Sequence, residues 1–152
     1  MRLLLDTHVA LWALTDDARL GAQARALIAD PENTVFVSAA SIWEIAIKHS
    51  LGRGAIPFSA EDALRYFSEA GYRYLDIRPA HAAVVGTLPL LHADPFDRML
   101  VAQALTEPMR LLTADRLLVQ YSDTVLLQNP EAPDRCDALG AVGAGGGEVG
   151  EA

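Results

Sequence analysis

The sequence predicts an α/β fold in which a parallel sheet is covered by helices on both faces. Two observations carry this expectation. Strand-length segments recur at residues 2–5, 34–37, 73–77, 110–113 and 124–127, and the runs that end before Asp6 and Asp115 are short and apolar, as strands buried on both faces require. The stretches between them have helical patterning, which implies crossover connections and therefore parallel neighbours. At 152 residues the chain suits one domain.

The first run, Arg2 to Leu5, ends at Asp6 and Thr7, either of which can cap a helix over residues 9–14 before the turn-forming Thr15-Asp16-Asp17. An alanine-rich helix follows over residues 21–29 and closes at Asp30-Pro31. The β-branched and aromatic residues at 34–37 read as a strand. The next helix starts at Ser38 or Ser41, runs through His49 and stops in Leu51-Gly52-Arg53-Gly54. Ser59 opens another, with Asp62 placed for a capping box and Gly71 at its end. A strand at 73–77 leads to Pro79, suited to the first turn of a short helix to Val85. After the loop Leu88-Pro-Leu-Leu-His-Ala, Asp94 and Pro95 open a helix to about Leu105. A strand at 110–113, a short helix at 115–120 and a strand at 124–127 complete the set. The Pro, Gly, Ala and acidic content of residues 129–152 predicts a disordered tail, so the folded domain is expected over residues 1–128.

The formal net charge of −8 argues against broad electrostatic capture of nucleic acid. From Glu131 onward five acids face Arg135 alone, which leaves a net −4 over residues 1–130. A local, metal-mediated phosphate site is therefore compatible with the charge. Cys136 is the single cysteine, which excludes an internal disulfide and suits a reducing cytoplasm. Asp6 interrupts the N-terminus too early for a signal peptide, and no apolar run approaches the roughly 20 residues a membrane helix needs. Lys48 is the only lysine.

Four acids stand where such a fold gathers ligands. Asp6 and Asp115 follow strands, and Glu44 and Asp97 fall near helix starts. Ligands of open parallel sheets bind beyond the carboxyl ends of strands where the strand order reverses. Carboxylates brought together there repel by about 4 kcal/mol per pair at 4 Å and an effective dielectric near 20. A divalent cation offsets that repulsion, and oxygen ligands favour Mg²⁺ or Mn²⁺. Each acid also has an ordinary reading. Asp6 and Asp115 can be caps, Asp97 a first-turn acid suited to the helix dipole, and Glu44 the partner of Ser41 in a capping box unless Ser38 is the cap.

Around these acids, Thr7 and Thr113 are small hydroxyls that either hold a water or cap. Arg98 and Arg116 each follow an acid and either grip phosphate or neutralise it. His8 and His92 lie near the expected crevice, while Trp12, Trp43 and Phe96, set among aliphatics at helical spacing, are expected in the core.

Four blocks together resemble the PIN-domain ribonucleases, specifically the VapC-type toxins of bacterial toxin–antitoxin pairs. They are Leu-Leu-Leu-Asp-Thr-His at the start, Val-Ser-Ala-Ala-Ser-Ile-Trp-Glu-Ile-Ala-Ile-Lys around Glu44, His-Ala-Asp-Pro-Phe-Asp-Arg-Met-Leu-Val-Ala-Gln-Ala around Asp97, and Leu-Leu-Thr-Ala-Asp at Asp115. The resemblance covers residues 1–128. It implies a three-layer sandwich with strand order 3-2-1-4-5, Mg²⁺- or Mn²⁺-dependent cleavage of RNA, a homodimer, and a small antitoxin as partner. Asp6, Glu44, Asp97 and Asp115 match the acidic positions, Thr113 an accessory polar one, and Asp94 belongs to the same signature. Hydrolysis at such a site uses water activated by one or two cations, and no protein nucleophile.

Receiver domains and haloacid-dehalogenase-like phosphatases also cluster acids, but they use a late lysine and this chain's only lysine is Lys48. Two alternatives share the acids. One is a catalytically inactive PIN-type module that binds metal or RNA, and the other a structure-specific DNA nuclease.

Overall fold

The computed structural model describes residues 1–53 and 56–128. The tail expected at 129–152, with Cys136, lies outside the described residues. In chain order the elements are β1 (Arg2–Leu5), α1 (Thr7–Thr15), α2 (Ala22–Ala29), β2 (Thr34–Ser38), α3 (Ala39–Ser50), α4 (Ala60–Glu69), β3 (Arg73–Leu75), α5 (Pro79–Val85), α6 (Pro95–Thr106), β4 (Arg110–Thr113), α7 (Arg116–Val119) and β5 (Val125–Leu127). The strands form one parallel sheet in the order β3-β2-β1-β4-β5.

The three layers follow from the period-two alternation of β1. Leu3 and Leu5 enter one core with Val35, Val37, Val9, Ile45 and Phe67. Leu4 points to the opposite face and joins Leu100, Val101, Leu111 and Leu118 in a second. All three leucines are fully buried, which is why the run carries no polar residue until the chain leaves the sheet at Asp6.

Chain order reverses on either side of β1, which pairs with β2 through Leu5↔Val37 and with β4 through Leu5↔Leu112. This opens a crevice at the carboxyl ends of β1 and β4. The Asp6 N–H donates to the Leu112 carbonyl at 3.0 Å, so the pairing extends one residue into the crevice.

Local details refine several expectations. Asp6 caps α1, so that helix begins at Thr7, two residues before the expected start. Ser38, not Ser41, caps α3 by accepting from Ala40 N at 3.0 Å, which moves Glu44 beyond the first turn and rules out its capping box. The strand expected at 73–77 pairs only over Arg73–Leu75. Gly71, at φ +87°, takes the left-handed conformation that ends α4, which a side chain would strain. Trp43 corrects a core expectation. It is 59% exposed, because the buried face of α3 is made by Ala40, Ser41, Glu44 and Ile45, and it meets Phe96 edge-on at 5.0 Å. Among the described residues, no helix is long and apolar enough to cross a membrane.

Candidate functional site

Asp6, His8, Trp12, Arg19, His92, Asp94, Asp97, Ala114, Asp115 and Arg116 line a cavity of about 600 Å³ at the crevice. Three of the four expected acids and the expected signature acid Asp94 therefore face one space. Asp6 is held rigidly. Its Oδ1 accepts from Val9 N at 2.8 Å and its Oδ2 from the Thr113 hydroxyl at 2.5 Å. Burial pushes its carboxyl pKa up, against the lowering effects of Thr113, the Val9 amide and the His8 charge.

Thr113 joins the two strand ends. Its hydroxyl donates to Asp6 and accepts from Asp115 N at 3.0 Å, so a single fully buried oxygen sets both acids. Asp115 caps α7 through Leu117 N at 2.9 Å. Asp94 caps α6 by accepting from Phe96 N and Asp97 N, at 2.8 and 3.3 Å, which aims the first turn and Asp97 at the cavity.

Among the described residues, the Asp97 carboxylate has no such donors. Burial first, then the charges of Asp94, Asp6 and Glu44, raise its pKa to about 7 against an opposing pull from His92. A rise of this size is the mark of a buried carboxyl crowded by other carboxylates.

His92 reaches the cluster from the loop before α6. Its Nε2 lies 2.6 Å from Asp115 Oδ2 and 3.4 Å from Asp97 Oδ2. These three groups are close enough together to hold an ion. However, His92 Nδ1 accepts from Asp94 N at 3.0 Å, so the ring proton sits on Nε2 and the imidazole donates to Asp115. The carboxylates that face the cavity are Asp6, Asp94, Asp97 and Asp115, and oxygen groups of this kind suit a hard cation such as Mg²⁺ or Mn²⁺.

Glu44 stands behind this set, not among the cavity-lining residues. It is 2% exposed; its Oε1 accepts from the Thr7 hydroxyl at 2.7 Å, itself 2.9 Å from Ser41 Oγ, and its Oε2 pairs with Lys48 Nζ at 2.5 Å. Burial alone would lower the Lys48 ammonium. The hydrogen bond and charge of Glu44, with the charges of Asp94 and Asp97, outweigh it and hold the pKa above its ordinary value. Thr7 is thereby tied to Glu44, not to a cap.

Arg98 turns away from phosphate and acid alike. Its Nη1 donates to the Pro89 carbonyl at 2.9 Å and the Tyr121 hydroxyl at 3.0 Å, and its Nη2 to the carbonyls of Val85 and Leu88 at 3.0 and 3.3 Å. It is a buried clamp on the loop that carries His92, and this corrects the expectation of an accessory site role. Arg116 does line the cavity, as does Arg19, for which residue types and spacing offered no signal.

A family model described as PIN domain matches residues 3–123. Ribonuclease VapC22 of Mycobacterium tuberculosis (strain ATCC 25618 / H37Rv) is 33% identical over 116 residues, spanning 76% of this chain and 88% of that protein. Among solved structures, VapBC2 from Rickettsia felis bound to a promoter DNA fragment aligns with a TM-score of 0.62 at 17% identity, over 85% of this chain and 98% of that one. A toxin–antitoxin complex from Klebsiella pneumoniae aligns at 0.55 and 16% identity, over 85% and 98%. At these identities the structural likenesses establish the fold.

Proposed function

Because this chain belongs to the PIN-domain family, we propose that it is a divalent-metal-dependent endoribonuclease, the toxin of a bacterial toxin–antitoxin pair. The observation that carries the reading is the convergence of Asp6, Asp97 and Asp115 on one cavity, with the Asp97 carboxyl raised to about 7 by burial and neighbouring negative charge. The ribonuclease relative, whose length the match nearly spans, supports RNA as the substrate.

Asp6, Asp97 and Asp115 would hold Mg²⁺ or Mn²⁺. When bound, such a cation would offset the negative charge that builds on the phosphoryl and leaving oxygens during hydrolysis and would strengthen water as a nucleophile near neutral pH. Asp97, its pKa raised to about 7 by burial and its acidic neighbours, would hold the cation as its carboxylate. Asp6 is kept in one rotamer by Val9 N–H and Thr113, and Asp115 by Leu117 N–H and the Nε2–H of His92. Preorganised acids of this kind need no reorientation during turnover. Glu44, backed by Thr7 and Lys48, adds negative potential that strengthens cation binding from behind. Among the described residues, the cavity lining contains no serine or cysteine, consistent with direct attack by water.

Restraint of the free nuclease would come from a small antitoxin whose arginine enters the acidic crevice, where a bidentate guanidinium–carboxylate geometry is available. Action in the cytoplasm, as a homodimer, completes the reading.

The test is incubation of partner-free protein with total RNA in Mg²⁺, Mn²⁺ or EDTA, followed by sequencing of fragment 5′ ends. Discrete cleavage with either cation and none in EDTA is expected. Cleavage that persists in EDTA refutes the metal requirement. Expression without growth arrest in the native host counts against the toxin role.

A further inference from the structure

The cavity has a second wall that the acids do not explain. A substrate polyanion entering an acidic pocket needs cations nearby, and the cationic residues lining this one are Arg19 and Arg116. Arg19 is preorganised. Its Nε and Nη2 bind Asp17 at 3.0 and 2.7 Å, its backbone N–H binds the same carboxylate at 2.9 Å, and its guanidinium lies over the Trp12 ring at 5.1 Å. Nη1 has no partner among the described residues and remains available for an anion.

Trp12 packs its inner side on the core, yet its ring also lines the cavity. One helical turn earlier, exposed His8 sits 6.1 Å from it at a 47° tilt. Aromatic and guanidinium planes beside a phosphate-binding group make a stacking platform for an unpaired base.

We propose that His8, Trp12, Arg19 and Arg116 form a nucleotide subsite of this nuclease. Trp12, His8 and the Arg19 plane receive an unpaired RNA base, and Arg19 and Arg116 clamp the phosphates beside the scissile one. The proposal rests on the ribonuclease reading above. It also accounts for how a chain of net charge −8 holds RNA, since capture is local and requires bases that are out of a helix.

The test uses D97N protein in Mg²⁺ with two fluorescein-labelled probes, octaadenylate and an abasic ribose-phosphate strand of equal length. Octaadenylate should bind on the order of 10-fold more tightly. Trp12→Leu, which keeps an apolar group against the core, should erase that preference. Arg19→Ala should weaken both strands and lower the salt slope by about 0.7. In a W43F background Trp12 is the only tryptophan, and octaadenylate, not the abasic strand, should quench its emission. Equal affinity for the two probes, or no quenching, overturns the proposal; should W12L fail to fold, the quenching and R19A measurements still decide. Binding that follows this pattern while wild-type protein cuts no RNA would uphold the subsite and remove the nuclease reading. Cleavage without base preference would do the reverse.

Discussion

Lys48 lies 2.5 Å from Glu44, one helical turn along α3, so the most buried of the four acids carries its own counter-ion. Removing one member of a buried pair costs more than removing both, because the survivor keeps its desolvation penalty. Lys48→Met should therefore destabilise the metal-free protein by about 2 kcal/mol. Glu44→Gln should change stability by less than about 1 kcal/mol, since glutamine still accepts from Thr7 and the partly exposed Lys48 reaches water. The double variant should recover most of the K48M loss in urea unfolding. RNA cleavage by E44Q should fall on the order of 10²-fold if the charge serves the cation.

Asp97 predicts a particular pH dependence. Its folded pKa, about 7, lies above the ordinary carboxylate value of 3.8. Its contribution to stability is then complete below pH 4 and lost as pH rises toward 7. Denaturation in EDTA should show D97N gaining on wild type between pH 4 and 7, with a constant gap above. Mn²⁺ should stabilise wild type more than D97N. A gap of the opposite sign would show that Asp97 is held by a partner, not repelled by its neighbours.

Thr113→Val keeps the side chain's shape and deletes the oxygen shared by Asp6 and Asp115. The Asp115 N–H is left without its acceptor, and Asp6 loses a donor that holds its pKa down. Thermal unfolding should register a loss of about 1–3 kcal/mol. Cleavage should fall about 10-fold as both carboxylates lose their orientation.

Arg98→Lys separates a clamp from a phosphate grip. Lysine keeps the charge but cannot reproduce a fork that reaches four acceptors. The variant should lose about 2 kcal/mol. Its hydrogen exchange should quicken at Leu91 and His92, whose amides bind the same Tyr121 hydroxyl. A phosphate grip would instead leave exchange unchanged and weaken RNA binding alone.

The parts of the fold that were legible were those set by burial on two faces. Leu3 to Leu5 and Leu111-Leu112 are continuous apolar runs because both faces of the central strands are covered; Asp6, which ends the first, lines the crevice, and Thr113, which ends the second, is buried and bonded to Asp6. The exposure of Trp43 was not legible, because α3 carries apolar residues around most of its circumference and offers no polar stripe to orient it. The placement of His92 was equally hidden. It depends on a loop over residues 85–92 whose backbone groups are gathered by the side chains of Arg98 and Tyr121, the latter about 30 residues away in sequence. Arg19 joins the cavity by lying over Trp12, a relationship that residue spacing does not encode.

Lys48 carries the chain's only ε-amino group. Any acylating reagent, or any enzyme that conjugates a tag to lysine, therefore meets one such target, and its pKa is held above the ordinary value beside the buried Glu44 carboxylate. While that pairing lasts, the amine is a poor nucleophile. Covalent labelling of this one position becomes a footprint, reporting whether the wall behind the acids is intact without any substrate having to be known.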